Sequence, residues 1–329
     1  MEQRHLGRTG LRVSRMGLGT MTWGRDTDEH DAADQMKAYL DAGGTLVDTA
    51  DVYADGEAEY MIGRLLDGYI PRSDVVIATK AASVPYSERR FDSSRGYLLQ
   101  ALDHSLARLG TDYVDLWQLH AYDPSTPLEE TLHALDLAVT SGRARYVGVS
   151  NFCGWQLAKA ATWQLAAPGR VVVASAQMEY SLLQRGIERE VLPAALDMGV
   201  GLLPWSPLGR GVLTGKYRHS MPADSRGASA HMGPFVAPYL DDHSRRIVDA
   251  LATAADGLGA APIEVALAWV RDRPGVVAPI VGARNAAQLR ASLAAEQVIL
   301  PEEIRTALED VSQPMTGYPD HDWSQAAGR

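Results

Sequence analysis

The stretch of sequence that decides the fold lies between residues 75 and 118, and its pattern predicts strand, helix, strand. It opens with the apolar run Val75-Val76-Ile77-Ala78-Thr79 and closes with Val114-Asp115-Leu116-Trp117-Gln118. Between these runs, leucines recur every three or four residues up to a glycine: Leu98, Leu102, Leu106, Leu109 and Gly110. Short apolar runs are typical of buried strands, and this leucine spacing is typical of one face of a helix.

The same alternation occurs eight times along the chain. Predicted strands lie at residues 15–18, 46–48, 75–79, 114–118, 146–149, 173–178, 201–204 and 278–281. Strands that alternate with helices imply right-handed crossovers and a parallel sheet, and eight units in about 280 residues favour a closed barrel. The sequence therefore predicts an α/β fold, a (β/α)8 TIM barrel. We expect a single domain over residues 1–329, with the barrel at about 15–311 and a tail at 312–329.

Local signals predict the ends of several helices and two departures from the repeat. Asp28 is a predicted N-cap of a helix that stops at Gly43-Gly44, and Ser94 precedes the leucine stripe. Thr126-Pro127-Leu128-Glu129 predicts a capping box with proline at the first helical position. Before the barrel, residues 1–14 predict a β-hairpin. After the seventh strand, residues 208–238 predict a long loop.

Composition excludes several classes of protein. The net charge of −10 opposes nucleic acid or an anionic membrane as the main partner. Cys153 is the only cysteine, so an internal disulfide and a cysteine-based zinc site are both excluded. The nine histidines show no paired spacing typical of metal ligands. With no secretory signal or apolar membrane span in view, we expect a cytoplasmic protein, and its oligomeric state stays open.

Four polar residues fall where three consecutive predicted strands end. Asp48 and Tyr53 follow the second strand, Lys80 the third and His120 the fourth. Taken singly, each is more often a cap, a loop aromatic, a surface charge or a structural histidine. Barrel enzymes, however, gather their chemistry at the carboxyl ends of the strands, so the joint placement favours a shared site.

These four groups suit proton transfer to a carbonyl oxygen. A phenol has a pKa of about 10 and is a weak acid at neutral pH. A neighbouring ammonium favours phenolate, so Lys80 is expected to lower the pKa of Tyr53, and Asp48 to hold Lys80 in place. His120 can align a substrate carbonyl by a hydrogen bond. The sequence therefore predicts proton transfer to a carbonyl oxygen with Tyr53 as the proton donor.

These residues resemble the Asp, Tyr, Lys and His tetrad of the aldo-keto reductase superfamily. The segment Asp48-Thr49-Ala50-Asp51-Val52-Tyr53 resembles the family's signature. Matching motifs extend over residues 4–311 and include Gly148-Val149-Ser150-Asn151, Trp205-Ser206-Pro207-Leu208 and Ile280-Val281-Gly282-Ala283-Arg284-Asn285. The resemblance is greatest to a bacterial branch similar to sugar reductases and potassium-channel β subunits. It implies an enzyme that reduces an aldehyde or ketone with NADPH.

The resemblance also implies where the cofactor binds. Ser150, Asn151 and Gln177 would bind the nicotinamide carboxamide, and Trp205 would stack on the ring. The remaining implied contacts surround the phosphates: Ser206, Leu208, Gly209 and Gly211 near the pyrophosphate, and Gly282, Arg284 and Gln288 near the 2′-phosphate. At the adenine end this chain has Ala291 and Ser292 where many relatives carry Glu and Asn.

The substrate is less well defined by the sequence. Trp23, Tyr53 and His120 are expected to wall the pocket of a small-molecule carbonyl compound. Two alternatives stay open: a ketoreductase acting on a nucleotide-linked deoxysugar, and a cofactor-sensing regulatory subunit like the channel β subunits. A metal-dependent hydrolase or isomerase would need paired histidine and carboxylate ligands at strand ends, and the sequence does not offer them.

Overall fold

A barrel of eight parallel strands is the centre of the structure, a computed structural model that describes residues 1–315 and 317. An antiparallel hairpin precedes the barrel, formed by β1 (Gln3–His5) and β2 (Arg12–Ser14). The barrel strands are β3 (Gly17–Gly19), β4 (Leu46–Asp48), β5 (Val76–Ala81), β6 (Val114–Leu119), β7 (Ala144–Ser150), β8 (Val173–Glu179), β9 (Gly201–Trp205) and β10 (Ile280–Gly282).

Parallel pairing runs in chain order from β3 to β9, and β10 pairs with β3. The remaining seam is joined by two backbone hydrogen bonds of 2.9 Å each, from Leu202 N–H to Gly275 O and from Val277 N–H to Leu202 O. The predicted (β/α)8 barrel, its N-terminal hairpin and the long loop after the seventh barrel strand are therefore confirmed. The predicted tail at 312–329 lies mostly outside the described residues.

Helices surround the barrel. They are α1 (Glu29–Asp41), α2 (Glu57–Leu66), α3 (Arg95–Leu109), α4 (Leu128–Thr140), α5 (Gly154–Leu165), α6 (Val191–Met198), α7 (Gly233–Val236), α8 (Asp242–Leu258), α9 (Pro262–Arg271), α10 (Ala286–Leu293) and α11 (Glu302–Val311). Within residues 1–315 and 317, no single helix is long and apolar enough to cross a membrane. The pair α8 and α9 reaches that length and composition only across a bend of 100°.

The predicted strands are all present, but the first and last begin two residues later than expected. Arg15 donates its N–H to Glu2 O in the hairpin, so it does not join the sheet. Pro279 has no N–H to donate, and a strand interior disfavours such a residue. Its carbonyl still accepts from Gly17 N–H at 2.9 Å, immediately before β10 begins.

Some of the predicted helix caps are present in the structure and others are not. Asp28 caps α1 by accepting from Asp31 N–H at 2.9 Å, as predicted. The capping box at Thr126 is wrong: Pro127 is the N-cap residue and α4 begins at Leu128. The Thr126 hydroxyl instead donates to Asp123 Oδ2 and accepts from Arg89 Nη2, both at 2.6 Å, so it takes part in loop contacts. Ser94 precedes α3 but makes no side-chain cap.

The two ends of the barrel differ in what fills them. Leu6 and Val13 of the hairpin pack with Leu46, Leu116 and Leu203 in one buried apolar cluster. Leu46 and Gly201 begin their strands, and Gly7 approaches the backbone of Gly201, so the hairpin covers the amino end. Polar side chains such as Asp48 and Lys80 occupy the carboxyl end.

Backbone strain collects at that carboxyl end. Six non-glycine residues of the described chain have left-handed φ angles: Ala54, Asp55, Ala82, Asn151, Ser206 and Arg210. All six follow the carboxyl ends of β4, β5, β7 or β9. Such conformations persist where surrounding contacts over-determine them, and they cluster at functional sites.

Ala54, directly after Tyr53, offers a test of this strain. Its φ of 49° is unfavourable for alanine and neutral for glycine. We predict that Ala54→Gly raises the free energy of unfolding by up to about 1 kcal/mol. Ala33→Gly, in the middle of α1, should lower it by about 1 kcal/mol. Urea unfolding of both variants measures the difference, and equal losses would show that Ala54 is not strained.

Candidate active site

Three of the four predicted tetrad residues form one hydrogen-bonded chain. Lys80 Nζ donates to Asp48 Oδ2 at 2.7 Å, to Thr49 O at 2.8 Å and to Tyr53 Oη at 3.3 Å. An ammonium has three donors, so all of those on Lys80 have partners. Tyr53 Oη accepts from Lys80, which leaves the phenolic proton free to point away from the lysine.

Sheet register explains why these side chains meet. Asp48 pairs with Ala78, and Lys80 lies two residues further along β5. Side chains two apart share a face, so Lys80 points into the barrel together with Asp48. Asp48 Oδ1 also accepts from Gln177 Nε2 at 2.7 Å, across from β8. Both carboxylate oxygens of Asp48 are therefore satisfied inside the barrel.

The electrostatics correct one expectation from the sequence. Burial raises the pKa of Tyr53 above its usual value of 10.0, and the Lys80 ammonium lowers it only part of the way back. Lys80 lowers this pKa as expected but does not bring it toward neutrality, because desolvation disfavours phenolate more strongly. Burial lowers the pKa of Lys80, but Asp48 and Tyr53 together raise it by more, so the pKa lies above its usual value and the lysine stays charged. Tyr53 is thus a protonated phenol at neutral pH.

His120 completes the group as a neutral ring. Burial, with a smaller contribution from the Lys80 charge, lowers its pKa to about 3. Its ring lies edge-on to the Tyr53 ring, with centroids 6.0 Å apart. Among the described residues Nδ1 is buried without a hydrogen-bond partner. An orphaned acceptor costs less than an orphaned donor, so the tautomer with hydrogen on Nε2 is favoured.

One cavity of about 550 Å³ extends from this group along the barrel rim. It is lined by Asp48, Tyr53 and His120 and by ten predicted cofactor residues: Ser150, Asn151, Gln177, Trp205, Ser206, Leu208, Gly211, Gly282, Arg284 and Gln288. Lys80 lies behind Tyr53, and Gly209 is buried beneath the rim. Ala291 and Ser292 line the far end.

Trp23 is not a pocket residue, which corrects a prediction. Its side chain is fully buried, and Nε1 donates to Gln35 Oε1 at 3.3 Å. A turn after β3, closed by Trp23 N–H to Thr20 O at 2.9 Å, directs the indole into the core. Met21 and Thr22 line the cavity instead.

The residues predicted to bind the carboxamide also contact one another. Asn151 Nδ2 donates to His120 O, and Asn151 Oδ1 accepts from Trp205 Nε1, both at 3.0 Å. Ser150 Oγ donates to Gln177 O at 2.8 Å. Asn151 has a φ of 57°, which asparagine tolerates better than most residues. Asn151 thus links the indole of Trp205 to the loop that carries His120.

Two cations that the sequence analysis missed also line the cavity, Lys216 and Arg226. Within the described chain, neither side chain has a hydrogen bond or salt bridge. Burial lowers the pKa of Arg226, and Asp26 only partly opposes this. Lys216 is exposed and Arg226 is half-buried. A cation that lines a cavity without an ion-pair partner suits an anionic ligand. The pattern around Lys216 is one residue too short for a phosphate loop counted from Gly211, so spacing alone does not select it.

Arg284 lies at the far end of the cavity, next to the long loop. Its Nη1 donates to Asp224 O at 2.9 Å, and Nη2 lies 3.9 Å from Asp224 Oδ2. Its backbone N–H donates to Gln288 Oε1 at 3.1 Å. Across residues 1–315 and 317, no group of three or more His, Cys, Asp or Glu side chains could hold a metal ion.

Comparison with known proteins identifies the family. The model of the aldo/keto reductase family matches residues 15–313. The chain belongs to the aldo/keto reductase family. The uncharacterized oxidoreductase YrpG of Bacillus subtilis (strain 168) is 40% identical over 324 residues, covering 94% of this chain and 96% of the relative.

Other members of the aldo/keto reductase family are named for two kinds of role. A probable voltage-gated potassium channel subunit beta of Oryza sativa subsp. japonica is 37% identical and covers 95% of this chain and 97% of its own. Versiconal hemiacetal acetate reductase of Aspergillus parasiticus is 33% identical, with coverages of 97% and 99%. The resemblance noted from the motifs is therefore confirmed, and the family supports an oxidoreductase.

The lowered pKa of His120 predicts a pH dependence of stability. The unfolded histidine titrates near 6.5 and the folded one near 3, so below pH 6.5 the unfolded state binds more protons. Between about pH 7.5 and about pH 5, the wild type should lose about 2 kcal/mol more stability than His120→Asn. Urea unfolding at both pH values measures this. His30→Asn, at an exposed position, is the control, and a loss shared by all three proteins would contradict the burial argument.

Proposed function

We propose that this protein reduces an aldehyde or ketone to an alcohol with NADPH, using Tyr53 as the proton donor. One observation carries the proposal: a protonated phenol, hydrogen-bonded to the Lys80–Asp48 ion pair, faces a cavity beside a neutral His120. We further propose a one-domain cytoplasmic enzyme, since a lone free cysteine suits a reducing compartment.

The residues around the cavity fit an elongated cofactor that carries several negative charges. Lys216 and Arg226 offer positive charge without a hydrogen-bonded or ion-paired partner in the part of the chain that the structure describes. Gly211, with a φ of 93°, permits close approach of the backbone. Trp205 presents an aromatic plane near Asn151. Arg284 carries the planar donor fork that suits phosphate. Bound there, NADPH would supply the hydride.

The chain's own residues would move and stabilise the proton. His120 Nε2 would donate a hydrogen bond to the substrate carbonyl oxygen and orient it toward Tyr53. As negative charge develops on that oxygen, Tyr53 Oη would release its proton to it. Lys80 would stabilise the resulting phenolate, because its Nζ lies 3.3 Å from the phenolic oxygen. Asp48 would keep Lys80 charged and in position.

The names of the relatives support the proposed reductase function. The reductase of Aspergillus parasiticus and the oxidoreductase of Bacillus subtilis favour redox chemistry. The potassium channel subunit of rice makes a regulatory, cofactor-sensing subunit the second candidate. NADPH binding with negligible turnover across aldehydes, ketoses and other ketones would favour that second candidate.

Tyr53→Phe tests the proposed mechanism. The change removes the proton donor and keeps the ring, so kcat should fall at least about 100-fold. NADPH should still bind, and its affinity, measured by the quenching of tryptophan fluorescence, should stay within about twofold of the wild-type value. Tyr122→Phe is the control, because Tyr122 is a half-buried tyrosine two residues after His120 that packs edge-on against Phe152. A Tyr53 variant that keeps most of its activity would remove Tyr53 from the mechanism.

Arg284→Ala tests the choice of NADPH over NADH. Charge-assisted hydrogen bonds contribute roughly 1.5–3 kcal/mol each, so NADPH affinity should fall about tenfold or more while NADH affinity stays nearly constant. The loss should shrink at high ionic strength. Asp224→Ala removes the carboxylate that lies 3.9 Å from Arg284 Nη2 but keeps the backbone carbonyl that accepts from Nη1, so it should not weaken NADPH. If both variants weaken both cofactors equally, Arg284 supports the loop and does not read the phosphate.

A further inference from the structure

We propose that Arg210 is a positioning residue that fixes the long loop after β9 against the indole of Trp205. The inference rests on the proposed function, since it assigns Arg210 to holding the nicotinamide-stacking surface. We call Arg210, Glu179 and Phe235 the Arg210 clamp.

The first component of the clamp is a bidentate ion pair. Arg210 Nε donates to Glu179 Oε1 at 2.8 Å, and Nη2 donates to Glu179 Oε2 at 2.7 Å. Both side chains are largely buried, and Tyr239 Oη also donates to Glu179 Oε1 at 3.0 Å. Glu179 is the last residue of β8, so this pair anchors Arg210 to the rigid barrel.

The second component joins the anchored guanidinium to the loop. Arg210 Nη1 donates to the carbonyl oxygen of Phe235, in α7, at 2.6 Å. The guanidinium carbon also lies 4.0 Å from the centroid of the Phe235 ring and 4.9 Å from that of Tyr239. The same side chain therefore contacts both the main chain and the ring of Phe235, and cation–π attraction adds to the hydrogen bond.

The position of Phe235 decides what the clamp does. Its ring lies nearly parallel to Trp205, with 16° between the planes and 6.4 Å between the centroids. On the indole edge, Nε1 donates to Asn151. Trp205 is thus fixed from two sides, by Phe235 on a face and by Asn151 on an edge. Loss of the clamp would release the first of these contacts.

Arg210 differs from the other cations that line the cavity. Lys216 and Arg226 have no hydrogen-bonded partner within the described chain, whereas all three nitrogens of the Arg210 guanidinium donate to protein atoms. Its backbone is also left-handed, with a φ of 58° between two glycines of positive φ. An arginine at such a position is explained by its side-chain contacts. These observations favour positioning of the loop over direct phosphate binding.

Arg210→Lys tests the clamp, because lysine keeps the charge but cannot form the bidentate pair and the third hydrogen bond together. We expect the rate of NADPH dissociation and the KM for NADPH to rise at least about tenfold. Arg218→Lys is the matched control, since Arg218 lies in the same loop and pairs with the exposed carboxylate of Asp249. Equal effects of the two variants, or changes below about twofold, would overturn the proposal.

A second measurement separates positioning from phosphate binding. If Arg210 acts through the loop, Glu179→Gln should weaken NADPH as Arg210→Met does, and the double variant should be no weaker than either. If Arg210 binds phosphate directly, Glu179→Gln should leave NADPH affinity unchanged or increase it. That second outcome contradicts the clamp.

A third measurement needs no cofactor. Trypsin should cut the free Arg210→Lys protein between residues 216 and 226 at least about tenfold faster than the wild type, with Arg218→Lys unchanged and the thermal midpoint unaltered. Unchanged cleavage in Arg210→Lys would overturn the clamp even in a protein that fails to bind NADPH. A wild type that binds no NADPH would instead refute only the proposed function.

Discussion

The buried ion pair between Lys80 and Asp48 is the interaction on which the rest of the site depends. Desolvating two charges is costly, and attraction between them offsets that cost only when their remaining hydrogen bonds are satisfied. Here Thr49 O and Tyr53 Oη accept from Lys80, and Gln177 donates to Asp48. Removing either charge would leave the other uncompensated, at roughly 3–5 kcal/mol. The pair therefore places a permanent cation beside Tyr53, which burial keeps as a neutral donor.

The barrel supports this ion pair by separating stability from chemistry. At the amino end the hairpin contributes Leu6 and Val13 to a dry, apolar cluster. At the carboxyl end the chain tolerates left-handed residues, orphaned polar atoms and unpaired cations within the described part. The apolar packing at the amino end stabilises the fold, and this allows the carboxyl end to keep polar and strained groups that lower the stability. This division is the usual arrangement in barrel enzymes.

The long loop after β9 extends the site from the tetrad toward the phosphates. Arg210 ties it to β8, and Arg284 contacts Asp224 in the same loop. Lys216 and Arg226 come from this loop and line the cavity without a hydrogen-bonded or ion-paired partner among the described residues. A cofactor carrying phosphates would be covered by this loop, and the positive charges of Lys216 and Arg226 would be available to bind those phosphates. The proposed NADPH dependence and the Arg210 clamp both follow from that arrangement.

The sequence alone determined the barrel and predicted the four residues that meet at its carboxyl end, because both follow from local patterns. Strand and helix periods alternate, and Asp48, Lys80 and His120 each stand at the end of a strand, where parallel topology brings them together. Tertiary structure decided what depends on distant contacts. The indole of Trp23 lies in the core because it packs there and donates to Gln35. Burial raises the pKa of Tyr53 although Lys80 lowers it. Lys216, Arg226 and Arg210 were missed because their importance depends on which partners they have. The partners of Arg210 lie 31 and 25 residues away, a separation that no local pattern encodes.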